Sequence, residues 1–263
     1  MKRAILATLL ASAAAPAFAQ PAQEKPPILR EVGYDQRLGE TVPLDLVFRD
    51  EAGRPVALRS LFRGRAVVLS LVYYECPMLC TLTLNGLGSA LSVLTFDAGK
   101  DFDVLTVSFE PKETPALAAA KKKTYLARYR RPGAGEGWHF LTGDAPAIAA
   151  LTKAVGFRYA WDTETRQYAH PAGLVVLTPD GRIARYMYGV EYAPRDLRLA
   201  LVEASQRRIG NPVDTILLYC YQYDPTRGRY AASVLRLVRL GGILTVLGLG
   251  AFVLLSLRRE RAA

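Results

Sequence analysis

The order of apolar and polar positions predicts a chain in which strands and helices alternate. Residues 67–72, with the sequence VVLSLV, form an apolar run that is typical of a strand buried on both faces of a sheet. Leucines then recur at 82, 84, 87, 91 and 94, a spacing closer to a helical than to an alternating pattern. We therefore expect a central strand over 67–72, followed directly by a helix that reaches about residue 96.

The same alternation continues to about residue 208. Turn residues, such as the Pro-Asp-Gly-Arg at 179–182, separate the predicted elements. Further strands are expected at 104–109, 138–141, 174–178 and 183–188, and further helices at 116–130, 145–155 and 196–208. Strands that alternate with helices indicate an α/β fold with a mostly parallel sheet, to which the late hairpin adds antiparallel strands. The prediction is therefore a central mixed sheet.

Two cysteines, Cys76 and Cys80, lie at the joint between the first predicted strand and its helix. Pro77 is expected in the first turn of that helix, where its missing N–H costs nothing. Residues four apart in a helix face the same side, so the two thiols would point in one direction. A cysteine pair at the end of the first long strand is typical of a thioredoxin-like domain, which we take as the fold.

Three roles are open to this pair. A structural disulfide would close a loop too small to stabilise the fold by much. Redox exchange needs a lowered thiol pKa, which a helix N-terminus supplies. Metal binding needs soft ligands, and two thiolates favour Cu(I) or Zn(II). Zinc would normally require four protein ligands, and the sequence offers no obvious set of four.

The chain has only two histidines with which to complete a metal site. His139 lies inside a predicted strand beside Trp138, where a packed or capping role is expected. His170 lies in a loop just before a predicted strand, and an isolated loop histidine usually belongs to the surface. In a thioredoxin-like sheet, however, that loop lies near the cysteine helix. Cys76, Cys80 and His170 would then form a three-coordinate site suited to copper.

Apolar segments at both ends of the chain predict export and membrane attachment. Residues 1–19 have the charged start, short apolar stretch and small-residue cleavage pattern of a secretory signal peptide. Residues 240–257 carry no charge and meet the lower length limit for crossing a bilayer, so we expect a transmembrane helix over 236–257 rather than a buried core helix. The main domain is then expected in the periplasm, held at the inner (cytoplasmic) membrane by a C-terminal anchor, with a cytoplasmic tail at 258–263.

Between these ends we predict a flexible leader at 20–39, one domain at 40–208 and an aromatic connector at 209–235. The connector contains Cys220, for which we favour an idle thiol in an aromatic belt at the membrane interface. A fourth ligand, a haem contact and a resolving cysteine are its alternative roles. The formal net charge of +10 comes without a basic patch interleaved with aromatic residues. It therefore favours affinity for anionic lipid over a nucleic-acid partner.

The combination of motifs resembles the SCO/SenC family of copper-binding proteins that assemble respiratory oxidases. Residues 74–80 (YECPMLC) match the Cys-Pro-x-x-Cys of that family, 108–115 (SFEPKETP) match its Ser-x-Asp-Pro and Thr-Pro elements, and 138–143 (WHFLTG) match its Trp-x-x-Leu-Thr-Gly. Glu110 and Glu113 depart from the pattern, because the family usually has aspartates there. The C-terminal position of the anchor and the connector with its third cysteine are further departures.

The resemblance implies a thioredoxin-like domain that binds Cu(I) or Cu(II) through Cys76, Cys80 and His170. It also implies a role in the assembly of the binuclear copper site of cytochrome c oxidase. Its partners would be the copper subunit of a terminal oxidase and another periplasmic copper chaperone or a thiol reductant. A second hypothesis is a thiol–disulfide oxidoreductase that uses the two cysteines without the histidine, and no other enzymatic activity is expected. A peroxidase of the peroxiredoxin type is disfavoured, because Tyr73 stands where that chemistry usually needs a threonine.

Overall fold

The computed structural model describes residues 27–209, 223–224, 229–230, 239–250, 253 and 258. The predicted signal peptide at 1–19 and Cys220 lie outside the described residues, and the predicted domain boundaries stay predictions. The strands are β1 Gly33–Tyr34, β2 Val47–Arg49, β3 Pro55–Ala57, β4 Ala66–Val72, β5 Phe102–Ser108, β6 Trp138–Leu141, β7 Phe157–Arg158, β8 Ala160–Asp162, β9 Gln167–Ala169, β10 Gly173–Leu177, β11 Ile183–Tyr188, β12 Tyr223–Asp224 and β13 Arg229–Tyr230. The α-helices are α1 Leu79–Val93, α2 Pro115–Tyr129, α3 Ala134–Gly137, α4 Ala145–Ala154 and α5 Pro194–Ser205, and short 3-10 helices occupy Pro27–Arg30 and Leu58–Leu61.

A five-stranded sheet with the order β11-β10-β4-β5-β6 forms the centre of the fold. Strands β4, β5 and β6 are parallel, whereas β10 is antiparallel to β4 and β11 is antiparallel to β10. Every residue of β4 and β5 is buried, as the apolar run at 67–72 predicts for a strand covered on both faces. The prediction of an α/β fold with a central mixed sheet is therefore confirmed.

Three helices form a connected layer next to this sheet. Helix α2 packs against β6, and α5 packs against β4, β10 and β11. Helix α1 contacts both α2 and α5. Because β4 is the central strand and α1 follows it in the chain, the loop that joins them lies at the end of the central strand. Cys76 lies in this loop, and Cys80 lies in the first turn of α1.

Residues 157–173 are more regular than their polar sequence suggests. The segment contains β7, which pairs with β1, and a hairpin formed by β8 and β9. Aromatic side chains hold this hairpin to the domain. Tyr168 packs with Trp161 on the neighbouring strand at a ring-centroid distance of 4.9 Å and with Phe109 at 5.6 Å. Side-chain packing therefore orders this segment. The alternation of apolar and polar residues along the sequence does not reveal such packing.

The prediction of a C-terminal transmembrane helix over 236–257, and of a membrane anchor and location based on it, is wrong. Among the described residues, no helix has the length and apolar character needed to cross a bilayer. The prediction rests on the uncharged sequence at 240–257 alone, which is a criterion of composition and not of structure.

Candidate metal centre

The loop between β4 and α1 brings the two cysteine sulfurs together. The backbone N–H of Cys76 donates to the carbonyl of Tyr73 at 3.2 Å, which turns the chain. Cys76 Sγ then accepts a hydrogen bond from the backbone N–H of Cys80 at 3.3 Å. Cys80 Sγ accepts one from the backbone N–H of Tyr73, also at 3.3 Å. One sulfur is therefore held by a backbone donor in the first turn of α1 and the other by a backbone donor in the loop before it.

The helix begins later than the sequence predicts. Helix α1 starts at Leu79 with Met78 as its N-cap residue, so Pro77 precedes the helix instead of lying in its first turn. Cys76 is consequently not part of the helix, and the spacing of four residues is not what aligns the two thiols. They meet because the sulfur of Cys76 accepts the backbone N–H of Cys80, as a capping side chain would. This N–H belongs to the first turn, where the N–H groups have no partner within the helix.

His170 approaches this pair from the loop that precedes β10. Strand β10 pairs with β4 in a register that sets Leu174 opposite Ser70, so the residues just before β10 lie beside the end of β4. The Nε2 atom of His170 is 3.2 Å from Cys80 Sγ and 4.0 Å from Cys76 Sγ. All three candidate ligand atoms lie within 4.8 Å of one another, and the three residues are buried.

The tautomer of His170 follows from its second ring nitrogen. Nδ1 lies 3.1 Å from the backbone carbonyl oxygen of Pro171, and this oxygen can only accept a hydrogen bond. The proton of a neutral imidazole therefore belongs on Nδ1, which leaves the lone pair of Nε2 directed at the two sulfurs. Metal-binding histidines in general are oriented by such a hydrogen bond from the nitrogen that does not hold the metal.

Aromatic rings pack around His170. The imidazole lies 5.8 Å from the ring of Tyr73, 5.3 Å from that of Phe109 and 6.4 Å from that of Phe157, measured between centroids. Tyr168 packs in turn on Tyr73 and Phe109. This apolar wall fixes the ring plane and keeps water away from the nitrogen–sulfur group.

The two thiols have opposite acidities. The hydrogen bond from the Cys80 side chain lowers the pKa of Cys76 well below its ordinary value, and the backbone N–H groups of Cys80 and Met78 act in the same direction. Burial and the neighbouring Cys76 sulfur raise the pKa of Cys80. The pair therefore holds one proton on the inner thiol and presents the outer sulfur, Cys76, as a thiolate.

A buried carboxylate, Glu113, holds the backbone just before Cys76. Its Oε2 accepts hydrogen bonds from the backbone N–H of Tyr74 at 2.8 Å and from the hydroxyl of Ser108, and its Oε1 accepts one from the backbone N–H of Glu75 at 2.8 Å. Burial raises the pKa of Glu113, and these hydrogen bonds oppose that shift. The sequence did not predict this role. The one available signal was the position of Glu113 shortly after the end of β5, because β5 is the neighbour of β4 in the sheet.

The donor set fits a soft metal ion. Two thiol sulfurs and one imidazole nitrogen are ligands that Cu(I) and Zn(II) favour, and three ligands fall short of the four of a closed zinc site. In the part of the chain that the structure describes, these three residues are the one group of histidines, cysteines and acids that meets the geometry of a metal site. His139 lies elsewhere, on β6, where burial lowers its pKa. Cys76 and Cys80 are free thiols rather than a disulfide.

Comparisons with known proteins agree with this arrangement. The family described as SCO1/SenC matches residues 36–204. A structure from Aquifex aeolicus VF5, described in terms of electron transfer, is 30% identical with a TM-score of 0.58 over 65% of this chain and 96% of that one. ScoI from Arabidopsis thaliana, solved with copper bound, is 18% identical with a TM-score of 0.51 over 65% and 99% of the two chains. BsSco, described as a member of the Sco family of cytochrome c oxidase assembly proteins, is 21% identical with a TM-score of 0.50 over 65% and 98%. The last two show a likeness of fold alone, and no curated protein matches the chain.

Proposed function

This chain belongs to the SCO1/SenC family, and from that premise we propose that it is a copper chaperone for the copper site of a cytochrome c oxidase. One observation carries the proposal: the sulfurs of Cys76 and Cys80 and an imidazole nitrogen of His170 lie within 4.8 Å of one another. The solved ScoI of Arabidopsis has copper bound, and the donor set of this chain has the chemistry to hold the same ion. Copper is here the cargo, which is bound and later released.

Each of the three residues has a distinct part in binding the cargo. Cys76 offers a thiolate, because its pKa is lowered by the Cys80 side chain and by backbone N–H groups. His170 offers the free lone pair of Nε2, since Nδ1 is occupied by the carbonyl of Pro171. Cys80 must lose its proton when the ion binds, so binding releases a proton to solvent. Three protein ligands leave a coordination position through which a ligand of the receiving protein can approach.

A second function, thiol–disulfide exchange, is favoured by one specific observation. Cys76 and Cys80 are both free, and the thiol with the lowered pKa is the less deeply buried of the two. A thiolate of this kind attacks a disulfide of another protein, and the second cysteine then resolves the mixed disulfide. That reaction oxidises the pair and reduces the target, and it requires both cysteines but not His170.

The experiment that separates the two functions measures both on the same variants. The full chain, loaded with copper, is mixed with the copper-free copper subunit of a cytochrome c oxidase, and formation of the receiving site is followed by its absorbance. Reduction of a disulfide in that subunit is measured separately by mass spectrometry. A chaperone loses copper transfer in Cys76→Ser and in His170→Ala, while His139→Ala serves as the matched control. Full transfer by His170→Ala, or disulfide reduction without transfer, would contradict the chaperone function.

A further inference from the structure

The three candidate ligands expose little surface to an incoming copper carrier. Cys76 and His170 each expose 7% of their surface, and Cys80 exposes 2%. Copper is transferred between soft ligands by ligand exchange and is not released as a free ion. The carrier must therefore stay bound to copper until a bond to the new ligand has formed. The chain therefore needs a soft donor that is accessible from outside and close to the buried sulfurs.

Met78 meets both requirements. It lies between the two cysteines in sequence, and 67% of the residue's surface is exposed. It is the N-cap residue of the helix whose first turn carries Cys80, so the base of its side chain starts next to the buried site. A methionine side chain has three rotatable bonds and ends in a polarizable thioether, a soft ligand for Cu(I). Met78 can therefore reach outward to a carrier and inward to the cysteines.

The fold itself gains little from a methionine at this position. Met78 is the N-cap residue of α1, and its side chain makes no capping hydrogen bond. Serine, threonine, asparagine or aspartate would stabilise the start of the helix, typically by about 1 kcal/mol over a residue that cannot cap. An apolar side chain that remains exposed also contributes little hydrophobic stabilisation. Stability therefore does not explain why an exposed thioether occupies the cap.

We propose that the thioether of Met78 is the first ligand of this chain to bind incoming Cu(I), before the ion passes to the buried site. This inference rests on the proposed function. A bond from copper to Met78 Sδ forms, and one bond from copper to the carrier breaks. The thiolate of Cys76 then binds as the remaining bonds from copper to the carrier break. Cys80 and His170 Nε2 complete the set as the bond to Met78 Sδ breaks and the thiol proton of Cys80 passes to water. Copper remains Cu(I) throughout, so no oxidant or reductant takes part.

The test measures the rate of copper uptake and the final affinity separately. Reduced, copper-free full chain is mixed in a stopped-flow instrument with Cu(I) bound to bicinchoninate, and the absorbance of the chelator complex reports transfer. Met78→Leu keeps the size and apolar character of the side chain but removes the sulfur. Met187→Leu, at a half-buried position on β11, is the matched control. We expect Met78→Leu to lower the second-order rate constant roughly tenfold, with the equilibrium affinity within twofold of wild type and the control unchanged.

A second readout follows the thioether directly. With methionine labelled by ¹³C at its methyl group, Ag(I) is added as a diamagnetic soft ion to the Cys76→Ser variant, in which the buried site lacks one sulfur. The methyl resonance of Met78 is expected to shift, and that of Met187 to stay in place. An unchanged uptake rate in Met78→Leu, or an unshifted Met78 resonance, would overturn the proposal while leaving the chaperone function intact. Failure of the wild type to bind copper would overturn both.

Discussion

Replacing Glu113 with glutamine tests whether this carboxylate positions the cysteine loop. The carboxylate accepts three hydrogen bonds, from the backbone N–H groups of Tyr74 and Glu75 and from the hydroxyl of Ser108. An amide of the same size has one oxygen that accepts and one NH₂ group that only donates. The hydroxyl of Ser108 can rotate and accept from that NH₂ group, but a backbone N–H cannot. Glu113→Gln therefore leaves one backbone donor of the loop without a partner.

The magnitude follows from the burial of the site. A buried donor that loses its acceptor costs about 1–3 kcal/mol. Burial raises the pKa of Glu113, so the neutral amide also escapes a desolvation penalty that the ionised carboxylate carries. We therefore expect Glu113→Gln to lower the free energy of unfolding by about 1–2 kcal/mol, in the lower half of that range. Because Glu75 directly precedes Cys76, the loosened loop should also weaken binding of Cu(I) several-fold.

The assay combines a global and a local measurement. Urea unfolding followed by circular dichroism gives the free energy of unfolding, and competition with a chelator gives the Cu(I) affinity. Glu191→Gln, which neutralises an exposed carboxylate, is the control and should change neither quantity. If Glu113→Gln matches wild type in both measurements, the three hydrogen bonds do not position the loop and the reasoning fails. If only the unfolding free energy falls, Glu113 stabilises the fold without shaping the site.

Two further predictions concern helix α1 and the cysteine in the loop before it. A methyl group on Gly86 would stand 1.8 Å from the carbonyl oxygen of Val190, so Gly86→Ala should lower the free energy of unfolding by about 1–3 kcal/mol in urea titrations. Gly88→Ala in the same helix meets no atom within 4 Å and should instead stabilise by up to about 1 kcal/mol; equal effects of both substitutions would refute the packing argument. Because the pKa of Cys76 is lowered, its alkylation by iodoacetamide should change little between pH 6 and 8, as read by peptide mass spectrometry. A tenfold rise in rate per pH unit, the behaviour of an ordinary thiol, would contradict that pKa.

Local sequence patterns predicted the elements that lie inside the sheet and helix layers. The apolar run at 67–72 is typical of a strand covered on both faces, and β4 is buried along its whole length. Such a pattern indicates the burial of a segment and the spacing of its apolar residues, and these two properties are enough to predict a strand or a helix. It predicted the order of the long strands and helices for the same reason.

The position of His170 could not be derived from local patterns. Its approach to the cysteines depends on β10 lying next to β4 and antiparallel to it, which joins residues about a hundred positions apart. The expected thioredoxin-like fold supplied that expectation and the family resemblance agreed with it, whereas the sequence around His170 alone indicated an ordinary surface loop. The role of Glu113 was missed for a similar reason, since its partners belong to the neighbouring loop.

The wrong prediction at the C-terminus and the late start of α1 have different physical causes. The uncharged sequence at 240–257 predicts a membrane helix, but none of the described helices is long and apolar enough to cross a bilayer. At the start of α1, Pro77 was assigned to the first turn because proline is tolerated there. The sulfur of Cys76 instead accepts the N–H of Cys80 from outside the helix, so that the helix begins at Leu79.

The most direct test of the account is the copper stoichiometry and absorption spectrum of the full chain beside its two histidine variants. The chain has only two histidines, so His139→Ala is a complete control for His170→Ala. We predict one copper per chain and a sulfur-to-copper charge-transfer band in wild type and in His139→Ala. In His170→Ala we expect the band to be lost or shifted and the affinity for copper to fall. Equal binding and identical spectra in all three proteins, or no tightly bound copper in any of them, would contradict a centre formed by Cys76, Cys80 and His170.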